Sequence, residues 1–340
     1  MVNSFARIYK VNSTSDLAEN VTKVSSDLKE YSKELIEENE VRKNNREYIF
    51  KSDLVRTKSL IDAILNNISD EDKLEGVFIK ICDTLAESLL VAQRKFSERY
   101  PMVNLREGNI IFYLNRDGFL VSKIDRSRYL NGVTYEREVG LPEEKPGQKI
   151  AYFQFLDNNE VSITLSDSNA NISTFWFDEF LELKPVSDNE KNTKRAFMAI
   201  EGFINRQVTR ISKADGTELR NNLIGYLRTN DAFSITDAKE HIFGEYKPHN
   251  AEIDMEKIKS SFDKSYINKK PNFDTQFHIA PDIIKAKIKK VYKIKENIEM
   301  KTNDYIENLR DDIIATKDDE GRFHLQILDV TAEVYENFKR

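Results

Sequence analysis

One cysteine, Cys82, stands among 340 residues, which excludes an internal disulfide framework and any site built from several thiolates. Its surroundings, GVFIKICDTLAESLL, make it a small buried hydrophobe on a helix, and so little cysteine fits a reducing, cytoplasmic compartment. Seven prolines and eleven glycines are also few for this length. A sandwich of many tight turns would need more of both, so long helices and short connections are expected. No stretch approaches the roughly 20 apolar residues of a membrane helix, and MVNSFARIYK lacks the basic-then-apolar order of a secretory signal. The four histidines (His241, His249, His278, His324) fall in four separate segments with no zinc-type spacing. There is no P-loop, no GxGxxG and no serine nucleophile elbow, so the common signatures of nucleotide-binding and hydrolytic enzymes are missing.

Twenty phenylalanines and fourteen tyrosines are present, enough buryable surface to argue against compositional disorder. SFARIYK reads as a short strand. Ser15 to about Val41 is a polar, helix-compatible run that Ser15 would cap. A better amphipathic helix follows Ser52, with Leu54, Leu60, Ile61, Ile64 and Leu65 on one face. The strongest helix spans Glu71 to Arg99, where Leu74, Val77, Phe78, Ile81, Leu85, Leu89 and Val91 form a stripe and Pro101 ends it. NIIFYLNRDGFLVSKID then gives a hairpin turning at Arg116-Asp117-Gly118, and KIAYFQFLDNNEVSITLSD a second one at Asp157-Asn158-Asn159. The two hairpins form a four-strand meander over about 108–167 with a helical layer on it, and RSRYLNGVTYEREVGLPEEKPGQ is a loop-rich insertion between them. From Ser173 to about residue 266 the chain reads as helical. A basic segment starting at HIAPDIIKAKIKK follows, then an extended VYKIKENIEMK, a hairpin turning at Asp318–Gly321 and a terminal helix.

The expected fold class is therefore α+β: N-terminal helices with a small antiparallel sheet, a central helical block and a C-terminal basic α+β segment. The corresponding divisions are 1–170, 171–250 and 251–340, with no linker composition to separate them sharply.

Carboxylates gather at Asp311, Asp312, Asp318, Asp319 and Glu320, a set able to hold Mg²⁺ through oxygen but equally able to be a solvated turn. The basic signal is stronger. Twelve lysines and five carboxylates lie between Lys257 and Lys301, in a chain of net charge −6. Such asymmetry is the footprint of a polyanion-binding face. In IIKAKIKKVYKIK, Ile284, Ala286, Ile288, Tyr292 and Ile294 alternate with Lys285, Lys287, Lys289, Lys293 and Lys295. A strand would show one lysine face, and a helix from Pro281 would likewise expose them. The candidate DNA contacts are Lys269, Lys270, Lys285, Lys287, Lys289, Lys290, Lys293 and Lys295. Lysine is a point charge suited to phosphate rather than to base edges. No catalytic residue or metal ligand is assigned.

NISTFWFDEFLELKPVSDNEKNTKRAF holds the only tryptophan. A base-stacking platform would need basic residues among the aromatics, whereas Asp178, Glu179 and Glu182 stand there, so Phe175, Trp176, Phe177 and Phe180 read as core. This stretch, continued by KRAFMAIEGFI and LRNNLIGYLRTNDAFSITDAKEHIFG, resembles bacterial nucleoid-associated proteins of the NdpA family. The shared pattern falls on Phe175, Trp176, Phe177, Phe180, Leu181, Thr193, Lys194, Leu219, Arg220 and Tyr226. Where that family often has glycine after its Phe-Leu pair, this chain has Glu182. The resemblance implies a cytoplasmic, nucleoid-located protein that binds double-stranded DNA without catalysis and without a cofactor. Nucleoid or DNA-processing proteins and a second copy of the chain are further partners to expect, and a membrane is not. Two other readings remain open at this point. One is an interaction or DNA-mimic module using acidic stretches such as SKELIEENE and DNEKN. The other is a metal-dependent nuclease acting in genome maintenance or defence against phage.

Overall fold

The computed structural model describes residues 4–12, 18–21, 25–41, 44–102, 108–142 and 148–340, with side chains for all of these except 37–41. It falls into two compact units. The first comprises residues 1–188, 232–235 and 271–278, and the second 189–231, 236–270 and 279–340.

The first unit is built on an eight-stranded antiparallel sheet. Its strands are β1 (Phe5–Val11), β2 (Glu19–Asn20), β3 (Arg46–Phe50), β4 (Gly108–Leu114), β5 (Gly118–Asp125), β8 (Lys149–Phe155), β9 (Val161–Asp167) and β10 (Leu183–Pro185), in the order β10-β3-β9-β8-β5-β4-β1-β2. The hairpin β6 (Ser127–Leu130) and β7 (Arg137–Gly140) stands outside it, within the segment expected to be loop. A short pair, β11 (Ala232–Ser234) and β12 (Gln276–His278), completes the unit. The expected meander is the central β4-β5-β8-β9, and its turns have clear causes. Asn115 Oδ1 accepts the amides of Asp117 and Gly118, both at 2.9 Å. A Cβ on Gly118 would lie 2.6 Å from the Phe153 carbonyl oxygen. In the second turn Asn158 and Asn159 adopt φ of 66° and 60°, the left-handed region that asparagine tolerates better than most residues.

Strand alternation sends Ile110, Phe112, Phe119, Val121, Ala151 and Phe153 to one face and Ile111, Tyr113, Leu120, Ile124, Ile150 and Tyr152 to the other. The first face is covered by α2 (Arg56–Asn67), α3 (Glu71–Arg99) and the π-helical turn Phe175–Phe180, and the second by Leu35 and Ile36 of α1 (Ser26–Val41). α3 has the bounds its sequence predicts. Asp70 caps it by accepting the Lys73 amide at 3.3 Å, and Glu71 and Asp72 face its positive end. Two details differ from the expected stripes. Val91 is 48% exposed, and Leu54 is 94% exposed because α2 begins only at Arg56. The helix expected from Ser15 begins at Ser26, after Glu19–Asn20 has paired with β1; residues 13–17 and 22–24, Ser15 included, lie outside the described ones.

Trp176, Phe175 and Phe180 are buried, with Trp176 on Phe180 at 5.0 Å and Phe175 on Phe96 at 5.2 Å between ring centres. The aromatic cluster is core, as read. Asp178 pairs with Lys51, and Glu179 with Arg99 at 2.9 Å. A buried ion pair fixes the chain leading into this turn. Lys149 Nζ lies 2.6 Å from Asp167 and 2.7 Å from Ser173 Oγ, while Asp167 also accepts the Ser173 amide at 3.0 Å. Burial pushes the Lys149 pKa down, and the Asp167 charge works against that shift.

The second unit contains α4 (Asn189–Ile204), α5 (Lys213–Thr229), α6 (Ile235–Phe243, from Thr236 on), α7 (Met255–Phe262), α8 (Lys285–Ile288), β13 (Lys290–Lys295), β14 (Ile298–Thr302), α9 (Leu309–Asp312), β15 (Ile313–Lys317), β16 (Phe323–Ile327) and α10 (Ala332–Phe338). Ser212 and Asp254 cap α5 and α7, accepting the amides of Asp215 at 3.2 Å and Lys257 at 3.0 Å. Phe203 gathers Phe262, Tyr266 and Phe243 at 5.3, 5.8 and 6.0 Å between ring centres, which gives the helices a common aromatic core. The α+β class holds. The sheet is larger than expected because β3 and β10 extend one edge and β2 the other. These strands are too short or too polar to stand out by alternation.

Candidate nucleic-acid interface

The lysine segment changes conformation where the sequence allowed two readings. Pro281–Ile284 is a 3₁₀ turn with proline at its start, α8 continues it for one turn, and from Lys290 the chain is a strand paired with β14. The break falls at Lys289, whose φ −59° and ψ 130° leave the helical region. Ile284 and Ile288, four residues apart, are the buried anchors, at 0% and 2% exposure.

Three contacts from α4 and α5 hold this segment against the helical block. Thr193 Oγ1 accepts the Ala280 amide at 3.0 Å, just before Pro281. Arg220 donates to the carbonyls of Lys287 at 2.8 Å and Ile288 at 3.4 Å, which occupies acceptors that the end of α8 leaves open. Its Nε is bound to Glu201 at 2.6 Å, and its guanidinium lies 5.9 Å from the Phe197 ring centre. Further along, Asn221 exchanges two hydrogen bonds with the backbone of Ile306, at 2.7 and 3.0 Å, and Arg228 grips Asp304 through two nitrogens at 3.0 and 2.8 Å. Gly225 is required beside this anchor, because a Cβ there would lie 2.6 Å from the Tyr305 ring.

The lysines consequently point away from a fixed base. Lys285, Lys287, Lys289, Lys293 and Lys295 are exposed and Lys290 is half-buried, its ammonium 4.9 Å from the Tyr292 ring centre. Lys285 pairs with Asp282 at 2.7 Å, and both are exposed, so water and salt leave that pair weak. The Asp282 carboxyl is held below its ordinary pKa by the hydrogen bond from Lys285. In the hairpin, Lys293 stands opposite Glu299, Val291 opposite Lys301 and Tyr292 opposite Met300, with an irregularity between Lys293 and Lys295. Lys290 therefore shares the Tyr292 face, whereas Lys293 shares the Val291 face. The basic surface wraps a helical turn and both sides of a ribbon, and is not the single lysine face of one strand. Lys269 and Lys270 are also exposed, but follow the π-helical turn Asp263–Ile267 in a separate stretch.

Other charged places are balanced. An open cleft of about 760 Å³ beside α3 is lined by Lys51, Arg56, Lys95 and Arg99, but equally by Glu87, Asp178, Glu179 and Glu182. At the last hairpin Asp318 is engaged by Arg322 at 2.8 Å and His324 at 2.9 Å, and Glu320 by Arg322 at 3.0 Å. Among the described residues no group of three or more His, Cys, Asp or Glu is placed to hold a metal ion. Of the acidic stretch SKELIEENE, the side chains of 37–40 lie outside the described residues. Cys82 is buried, and burial pushes its thiol pKa well up, away from nucleophilic chemistry.

Two of the residues that carry the family pattern position the basic segment: Thr193 binds its start and Arg220 the end of α8. A sequence model of the family described as nucleoid-associated protein YejK matches residues 119–323. The chain belongs to this family of nucleoid-associated proteins. The match runs from β5 to the start of β16 and so contains the aromatic turn, the helical block and the lysine segment. No curated protein matches the chain. Among the described residues no helix is long and apolar enough to cross a membrane.

Proposed function

We propose that this member of the YejK family is an NdpA-like, non-catalytic protein of the cytoplasmic nucleoid that binds duplex DNA through phosphates, with little sequence preference. The observation that carries the reading is the lysine segment itself. Ile284, Ile288, Thr193 and Arg220 fix its inner side, so Lys285, Lys287, Lys289, Lys290, Lys293 and Lys295 meet phosphates from a positioned backbone, with Lys269 and Lys270 as outlying contacts. A preorganised array loses less entropy on binding than a flexible tail, and ammonium groups reach phosphate without reading base edges. No cofactor is needed for this role. If all six segment lysines engage, the log–log dependence of affinity on salt has a slope of roughly −5, at about −0.9 per phosphate. An affinity for duplex DNA that does not respond to salt would overturn the assignment.

A homodimer fits the same reading. β16 presents Phe323, Leu325 and Ile327 on one face, at 85%, 40% and 45% exposure, and α10 adds Val334, Tyr335 and Phe338. A lone two-stranded hairpin is marginal in water, and an apolar surface of this extent favours cover by a second copy. Two copies would double the number of phosphates neutralised.

A further inference from the structure

The hairpin β6–β7 lies outside the eight-stranded sheet, in the segment that joins β5 to β8. Its register places Ser127 opposite Gly140, Arg128 opposite Val139, Tyr129 opposite Glu138 and Leu130 opposite Arg137. Alternation then divides it cleanly. Arg128, Leu130, Arg137 and Val139 share one face, while Tyr129 and Glu138 take the other. Glu138 is further held on its own face by the Tyr129 hydroxyl at 2.7 Å and Asn131 Nδ2 at 2.8 Å. No carboxylate among the described residues lies within ion-pair distance of Arg128 or Arg137, and both are exposed.

The tip between the strands is ordered by its own bonds. Asn131 Oδ1 accepts the amides of Val133 at 2.8 Å and Thr134 at 3.2 Å, and the Tyr135 amide donates to the Asn131 carbonyl at 2.9 Å. Tyr135 takes a left-handed φ of 58°. Val133 and Tyr135 stand out at 87% and 73% exposure, and Leu130 and Val139 at 61% and 58%. Apolar side chains flanked by two guanidinium groups that have no ion-pair partner among the described residues, with Glu138 turned to the other face, match a polyanion that also offers an apolar lining. A duplex groove has that chemistry. The major groove is wide enough for a two-stranded ribbon, and apolar side chains at a ribbon tip can press between base steps. Guanidinium forks bind the bordering phosphates through two nitrogens at once.

We propose that the β6–β7 ribbon is a second duplex-binding element of this chain, lying in a groove with Arg128 and Arg137 on phosphates and Val133 and Tyr135 against the groove interior. The proposal rests on the DNA-binding reading above and adds an arginine site in the first unit to the lysine site in the second. Its test is fluorescence anisotropy of a labelled duplex with the full chain, titrated across salt concentrations. Arg128→Ala/Arg137→Ala should bind several-fold more weakly at fixed salt, with the log–log slope reduced by roughly 2, and circular dichroism should be unchanged because both side chains are exposed. Arg128→Lys/Arg137→Lys should keep the slope and recover only part of the affinity, since lysine lacks the fork. Unchanged affinity and slope in the alanine variant, in a protein whose binding is abolished by Lys287→Glu/Lys289→Glu/Lys290→Glu, would overturn the ribbon's role and leave the lysine reading standing. The same holds if the alanine variant loses only a nuclease-resistant protein partner. Absence of duplex binding by the unmodified chain at low salt would overturn both.

Discussion

The Glu182 carboxylate accepts the Thr57 backbone amide at 3.0 Å and the Thr57 hydroxyl at 3.3 Å, across 125 residues of sequence. Val55, at the N-cap position of α2, has no side chain that can accept a hydrogen bond, so Glu182 supplies the missing acceptor from the far end of the aromatic turn. It does so from a left-handed backbone, φ 54°, at the position where the NdpA resemblance leads one to expect glycine. The side chain caps a helix from there at a conformational cost.

Glu182→Ala removes the cap and keeps the strain, and should cost about 1–2 kcal/mol in urea unfolding. Glu182→Gly removes the cap but relaxes the backbone, and should fall between Glu182→Ala and the unmodified chain. An alanine variant as stable as the unmodified chain would refute the cap.

This position marks how far the sequence could be read. The apolar stripe locates α3 to its terminal residues, and apolar runs broken at Arg116-Asp117-Gly118 and Asp157-Asn158-Asn159 locate the meander and both of its turns. Glutamate in place of glycine at position 182 registers only as a departure from a pattern, since a left-handed φ leaves no periodic trace. Polar pairs distant in sequence were also illegible. Nothing in LRNNLIGYL announces that Arg220 closes α8, although Arg220 and Thr193 were already visible as pattern residues. The split of the lysines between a helical turn and two ribbon faces follows from a backbone change at Lys289 that alternating Ile and Lys fit equally well on either side. The β6–β7 ribbon was hidden because its apolar residues face solvent, so no burial alternation marked it as strand.

Trp176 is fully buried, and its indole N–H has no hydrogen-bond partner among the described residues. Trp176→Phe should therefore change stability by no more than about 1.5 kcal/mol, because the donor it deletes is unsatisfied and the packing volume is largely kept. Trp176→Ala should cost about 3–5 kcal/mol. Neither should alter DNA affinity in a folded protein, since the aromatic turn is core. Urea denaturation followed by far-ultraviolet circular dichroism checks both, and a phenylalanine variant as damaged as the alanine one would contradict the account.

Asp215 is buried on α5 and accepts the Tyr246 hydroxyl at 2.8 Å and the amides of His249 at 2.7 Å and Asn250 at 3.3 Å. Burial opposes its charge, but these bonds together with Ser212 outweigh it and hold the carboxyl below its ordinary pKa. The unfolded chain therefore takes up this proton first. The stabilisation is complete above the ordinary carboxylate pKa and is lost as pH falls through the lower, folded value. Asp215→Asn should cost about 2–3 kcal/mol at neutral pH, and the gap in Tm between it and the unmodified chain should close on acidification. A gap that does not vary with pH would count against the charge as the source.

Leu325→Asp/Ile327→Asp places two charges on the exposed face of β16 and should convert a dimer into a monomer, read by light scattering coupled to size-exclusion chromatography. An unmodified chain that is monomeric at all concentrations tested would remove the second copy from the proposal.

Duplex binding by the lysine segment is tested most directly by a gel-shift titration at low salt, comparing the unmodified chain with Lys287→Glu/Lys289→Glu/Lys290→Glu. These lysines project from a segment held by Ile284, Ile288 and Arg220. The triple reversal should accordingly leave the circular dichroism spectrum intact and abolish the shifted band. A triple variant that shifts duplex DNA at the same protein concentration as the unmodified chain would contradict the account.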